Sequence, residues 1–145
     1  MTMIKAVHSK GLFMGKLAHD SDLLDALTAV CSENDIRLGR VEALGAVRQA
    51  RLAYYDQKRR EYQFFTLDQP LEITKLVGNV SVKDGRPIVH AHITLADDAG
   101  RAYGGHLAQG TKVFACEFIL EPFEGPAFER GYDETTGLPL WKEGE

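Results

Sequence analysis

Three of the five histidines crowd into one passage, Pro87-Ile88-Val89-His90-Ala91-His92-Ile93-Thr94-Leu95 followed by Gly104-Gly105-His106-Leu107. Alternate residues of a strand share a face, so His90 and His92 project side by side while Val89, Ala91 and Ile93 point the other way, into packing. His106 joins them through a hairpin. A symmetric reversal at Asp97 to Gly100 would pair Ala96 with Arg101 and leave His106 on the wrong side of the sheet. One extra residue, taken up as a bulge, sets His92 opposite His106. Gly100, free to turn left-handed after a type I turn, and Gly104-Gly105 are the residues that permit it, and the glycines would also clear space for the rings. Three imidazoles supply most of a tetrahedral Zn²⁺ shell, each nitrogen at roughly 2.0–2.1 Å, with a fourth position left for water or substrate. Neutral ligands leave the full charge of the ion to act there, lowering the pKa of a bound water toward about 7. A single histidine on an apolar strand is more often a hydrogen-bonded core residue, and His-x-His pairs also arise by chance. The third histidine and its glycine hairpin favour the metal. His8 and His19 lack such company and read as ordinary polar residues.

Other side chains could assist such a site. Glu72 and Asn79 fall on the strand before the hairpin, where a carboxylate and an amide could orient ligands, move protons or bind substrate. The alternative is a solvent-facing Glu72 and an Asn79 that serves a bulge beside Gly78. Arg48 and Arg51 alternate with Val47, Ala50 and Leu52, fit either to hold an anionic substrate or to form a solvated or interfacial face. Glu72, Asn79 and Arg48 are therefore the catalytic candidates. Lys58-Arg59-Arg60 beside Tyr62, Phe64 and Phe65 looks like an RNA-binding mixture, but solubility and core packing explain it better.

The elements that must position these residues are mostly strands. One helix is clear: Asp20, Ser21 and Asp22 offer N-caps and negative charge at its start, and Leu23, Leu24, Leu27, Val30 and Cys31 form a single apolar stripe before Asn34-Asp35. Strands are expected over 4–7, 12–17, 38–44, 47–55, 62–67, 71–82, 88–95, 102–107 and 112–120, broken by turn chemistry at Asp68-Gln69-Pro70, Asp84-Gly85, Asp97-Asp98-Ala99-Gly100 and Gln109-Gly110. Connections this short favour antiparallel neighbours. The predicted fold is α/β (α+β): a twisted or barrel-like mixed, mostly antiparallel sheet packed by one long amphipathic helix. Residues 125–145 change character, with Gly, Pro and acidic residues around Phe128, Tyr132, Leu138, Leu140 and Trp141. So many large apolar groups argue for a tail docked on the domain 1–124 or on a neighbouring subunit.

At 145 residues the chain is one domain with one core. A net charge of −4 gives no long-range pull toward phosphate backbones, which counts against nucleic acid as partner. Cys31 and Cys116 sit far apart among apolar neighbours and read as buried, reduced thiols. The N-terminal MTMIKAVHSK has no signal-peptide core, and no apolar run is long enough to span a membrane. Cytoplasmic location is the expectation.

The run Gly78-Asn79-Val80-Ser81-Val82, Asp84-Gly85-Arg86-Pro87, His90-Ala91-His92, Asp98, Gly100, Gly104-Gly105-His106-Leu107 and Gly110 resembles the core of the PPC (plants and prokaryotes conserved) domain. Glu42-Ala43-Leu44-Gly45-Ala46 and Leu52-Ala53-Tyr54-Tyr55-Asp56 match its earlier strands. Arg130-Gly131-Tyr132-Asp133 and Thr136-Gly137-Leu138 match the tail of prokaryotic members. The resemblance covers nearly the whole chain. It implies a mixed sheet, a homotrimer, zinc on His90, His92 and His106, and kinship in fold to acetolactate decarboxylase, a lyase that holds zinc with three histidines. Plant members carry AT-hooks, but Asp84-Gly85-Arg86-Pro87 places an acid where a groove-inserting arginine is needed and reads as a hairpin turn. Two functions follow as expectations: a small-molecule or lyase-like metal site taking an anionic or carbonyl-bearing ligand, or a DNA-associated or assembly module with a structural metal. Duplex DNA and membranes are not expected partners.

Overall fold

The computed structural model describes residues 2–143. The chain runs β1 (His8–Ser9), β2 (Phe13–Leu17), α1 (Leu23–Glu33), β3 (Gly39–Asp56), β4 (Glu61–Leu67), β5 (Leu71–Lys83), β6 (Arg86–Ala96), β7 (Ala102–Leu107), β8 (Lys112–Glu124), β9 (Arg130–Tyr132) and β10 (Pro139–Trp141). Three expectations change. The helix is short at 11 residues, not long. Every ladder among the described residues is antiparallel, so the sheet is not mixed; its one parallel contact is an isolated bridge between Val82 and Glu129. The first strand is His8–Ser9 rather than 4–7; Ile4, 87% exposed, has no core to alternate against.

The helix starts where its chemistry allows. Asp22 caps it by accepting the Asp25 N–H at 3.0 Å, and Asp25 adds negative charge in the first turn. It ends at Asn34, after which Asp35 turns left-handed and the Ile36 N–H reaches back to the Cys31 carbonyl at 2.8 Å. Leu23, Leu27 and Cys31 bury themselves against the core.

β3 is the spine of the sheet. Its first half pairs with β8 on one side and β5 on the other, and its second half pairs with β4 and, at Leu52 and Ala53, with β7. The path β3–β5–β6–β7 therefore returns to β3 and closes a small barrel. The strand can bend this way because it bulges at Gly45, whose φ is +143° and where a Cβ would meet the Ala115 carbonyl oxygen at 2.1 Å. Among the described residues no helix is long and apolar enough to cross a membrane. Cys31 and Cys116 are buried free thiols, each raised to about 11 by burial.

The hairpin that carries the histidines has the expected register. Ala96 pairs with Ala102, Leu95 with Tyr103, and His92 with His106. The extra residue is absorbed in the turn: Gly100 N–H donates to Asp97 O, Asp97 N–H donates to Arg101 O, and Gly100 sits at φ +75°. Asp97 fastens the reversal, its Oδ1 accepting the Ala99 and Arg101 N–H groups and its Oδ2 the Arg101 Nε.

Candidate metal centre

The sheet has two unlike faces along β6. Val89, Ala91, Ile93 and Leu95 are at most 7% exposed and join the core. His90, His92 and Thr94 alternate with them onto the opposite face. There the ladders bring His92 beside His106 on β7 and set Asn79 of β5 opposite His90. The ring centroids of His90 lie 5.1 Å from those of both His92 and His106, and those of His92 and His106 are 5.7 Å apart.

One potential ligand nitrogen from each ring lies within 4.8 Å of the other two. A tetrahedral ion with bonds of 2.0–2.1 Å wants nitrogens about 3.4 Å apart, so the rings would draw closer on binding one. Two observations show that the residues suit a cation. His106 Nδ1 is buried with no hydrogen-bond partner among the described residues, a costly orphan; with the ring proton on Nε2, its lone pair is free for a cation. His90 and His106 are also held neutral, the form that binds metal. Burial is the main cause for both; at His90, brought down to about 4, the Arg130 guanidinium and the other two rings add to it. Among the described residues no Cys, Asp or Glu joins the cluster.

His90 and His106 form part of the wall of a cavity of about 210 Å³. Tyr62 of β4 lies in that wall, stacked on the His106 ring at 4.8 Å and 27°. Arg130 of β9 enters from the opposite end of the chain: its Nε donates to Ser81 Oγ at 2.7 Å, its Nη2 to Asn79 Oδ1 at 3.0 Å and its Nη1 to Pro139 O at 3.1 Å. The tail segment that brings it is tied to β5 by the Val82 N–H to Phe128 O bond, and Phe128 stacking on Trp141 holds the tail's own two ends together.

The other candidates fall in different places. Asn79 is at the site, holding Arg130. Glu72 stands opposite Ala96, exposed and at the far end of the strand pair from His90. Arg48 is exposed and bonded to Asp20 at 2.6 Å. Arg51 gives an N–H to Gln109 O and lies over the Phe64 ring. The aromatics after the basic turn are not core residues: Phe64 and Phe65 are 52% and 39% exposed, and Tyr62 serves the histidine wall. Gly104 and Gly105 do not make room for the rings either; a Cβ on them would press on Ile93 O and on Ala53 O. His8 and His19 are exposed, the latter bonded to Phe114 O. Sequence reasoning gave no role to Arg130 and Tyr62. The Arg130-Gly131-Tyr132-Asp133 run of the tail was the available signal for the first.

Residues 5–124 match the model of the Plants and Prokaryotes Conserved (PCC) domain. A solved structure of a metal-containing protein from Archaeoglobus fulgidus is similar at TM-score 0.94 and 42% identity, covering 98% of this chain and 100% of that one. A Staphylococcus aureus protein similar to alpha-acetolactate decarboxylase shares the fold at TM-score 0.55 and 17% identity, over 81% of this chain and 53% of that one. A bifunctional GlmU protein of Synechococcus is 32% identical over 124 residues, 84% of this chain and 19% of that protein. The chain thus spans about a fifth of the length of the curated relatives it matches.

Proposed function

The chain belongs to the Plants and Prokaryotes Conserved (PCC) domain family, and from that premise we propose that His90, His92 and His106 hold a divalent metal, zinc in the first place, at a site open to a small molecule. The observation that carries this reading is the convergence of three imidazoles, one with an orphaned nitrogen, at the wall of a cavity. The likeness to a metal-containing protein supports it. When bound, such an ion supplies Lewis-acid polarisation of a carbonyl or carboxylate oxygen, the chemistry of a lyase-like site. The chain's own residues do the rest. Tyr62 holds the plane of His106 by stacking, Arg130 presents fixed positive charge, and the aliphatic walls limit water. A purely structural zinc would call for a fourth protein ligand, and the cluster offers none among the described residues. The test is metal analysis of protein purified without an affinity tag, followed by a metabolite thermal-shift screen. Close to one equivalent of zinc per chain is expected; protein that neither carries nor takes up a divalent metal overturns the reading.

The same reading includes a cytoplasmic, cyclic homotrimer. The sheet face that carries the histidines also exposes Met14, Leu44, Val77 and Ile119 at 82%, 57%, 50% and 37%, and the ladders align Met14, Ile119, Glu42, Val77 and His92 in one row across it. Apolar groups so arranged favour burial against further copies. Sedimentation should give a trimer at micromolar concentration, and a stable monomer would sink this part.

A further inference from the structure

Among the described residues, Arg130 is a charge without a counter-charge. It is half-buried, and burial pulls its pKa down. Its three hydrogen bonds end on Ser81 Oγ, Asn79 Oδ1 and Pro139 O, all neutral acceptors. Among the described residues no carboxylate comes within ion-pair distance of it. Partly desolvated arginines are normally matched by an acid, because an isolated buried charge is costly. Here the Trp141 ring, its centroid 5.7 Å from the guanidinium carbon, offers a cation–π contact but no counter-charge, and no acid lines the cavity. The cavity wall holds a second cation, Lys83, and no acidic side chain.

A guanidinium has five N–H donors. Three are spent on the protein, leaving one on each terminal nitrogen, the number that the two oxygens of a carboxylate accept. Asn79 fixes the guanidinium and itself stands opposite His90, so the free donors lie one strand away from the imidazole cluster. Ser81 is fully buried and has Arg130 as its partner, so it anchors the guanidinium rather than serving solvent. The remaining walls include Leu107, Ile88, Leu138 and Leu140. A volume of about 210 Å³ lies below the range of roughly 300–1,000 Å³ that drug-sized ligands occupy. We propose that Arg130 is the anion-recognition residue of this cavity and that the ligand is a small monocarboxylate with a short apolar part, its carboxylate on Arg130. This rests on the metal-site reading only in placing the other end of the ligand at the histidines. Apolar walls and the two free donors of Arg130 suit a carboxylate better than a phosphate, which carries more charge and needs more donors than Arg130 has left, and Lys83, the other cation of the wall, is exposed to solvent.

The test uses the full chain, both chelated and zinc-loaded, with propionate as probe and propionamide and inorganic phosphate as comparators. Propionate should move the Arg130 Nε–Hε resonance saturably. Propionamide should leave it in place, and phosphate should bind more weakly than propionate. Arg130→Gln should weaken propionate binding on the order of 10- to 100-fold while zinc content stays as in the wild type. Propionate that binds neither form, or binds Arg130→Gln as well as wild type, overturns the proposal; phosphate binding more tightly than propionate overturns the carboxylate assignment. If Arg130→Gln does not fold, the resonance titration of the wild type decides alone. A chain that takes no zinc but still binds propionate through Arg130 removes the metal reading and keeps this one. Zinc uptake with an Arg130 indifferent to propionate does the reverse.

Discussion

Leu95 and Thr94 are neighbours on β6, yet they belong to different kinds of surface. Leu95 is fully buried in a face whose Val89, Ala91 and Ile93 pack against the helix and the rest of the core. Thr94 is exposed, on the face that carries His90 and His92. The core face is complete: its side chains are apolar and their partners are all present within the chain. The histidine face is not, since it holds an orphaned nitrogen at His106, an unmatched guanidinium at Arg130 and a row of exposed apolar groups. One strand thus serves stability with its odd-numbered residues and recognition with its even-numbered ones. On the function proposed above, what completes the second face is a metal, a ligand or a further copy.

The largest effect expected from this contrast is on stability. Leu95→Ala should cost about 2–5 kcal/mol by cavity formation, whereas Thr94→Ala should change stability by less than about 0.5 kcal/mol. Urea unfolding of the two variants measures both. Equal costs would mean that the histidine face is as load-carrying as the core and would break the contrast.

A smaller effect is expected from pH in metal-free protein. In the fold His90 is held at about 4, against 6.5 for an ordinary histidine. Between those values the unfolded chain binds a proton that the folded chain refuses, so stability should rise with pH from about 4 to about 6.5 and level off above. His106, also lowered, acts in the same direction. Urea midpoints across this window should show the slope in the wild type and a flatter one in His90→Gln. An unchanged slope in that variant would assign the effect to other groups.

The smallest expected effect is none at all. With a net charge of −4 and no arginine in the place an AT-hook needs one, the protein should show no useful affinity for duplex DNA at physiological salt. Tight binding with a steep salt dependence would revive the DNA-associated alternative.

Much of the scaffold was legible because it is local. The helix follows from the spacing of Leu23, Leu27 and Cys31 and from Asp22 as its cap. The His92–His106 register follows from alternation and from Gly100 in its turn. Closure of the barrel through Leu52 and Ala53 was only hinted at, since it joins residues distant in the chain. Arg130 could not be placed at all: its contacts with Asn79 and Ser81 exist only once the tail lies along β5. Tyr62 was equally hidden, because its stacking on His106 depends on β3 bending far enough to meet both β4 and β7. The short Pro139–Trp141 strand has too few residues to show a period.

The central claim is tested most directly by the metal content of His92→Ala. His92 is exposed, faces His106 across the hairpin and shares its strand face with His90, so its loss removes a ligand and little packing. Two imidazoles are too few to hold zinc firmly against chelators, while a core this size folds without the ion. Elemental analysis and sedimentation should find the variant soluble, assembled as the wild type and free of metal. A variant that keeps one zinc per chain would contradict the three-histidine site.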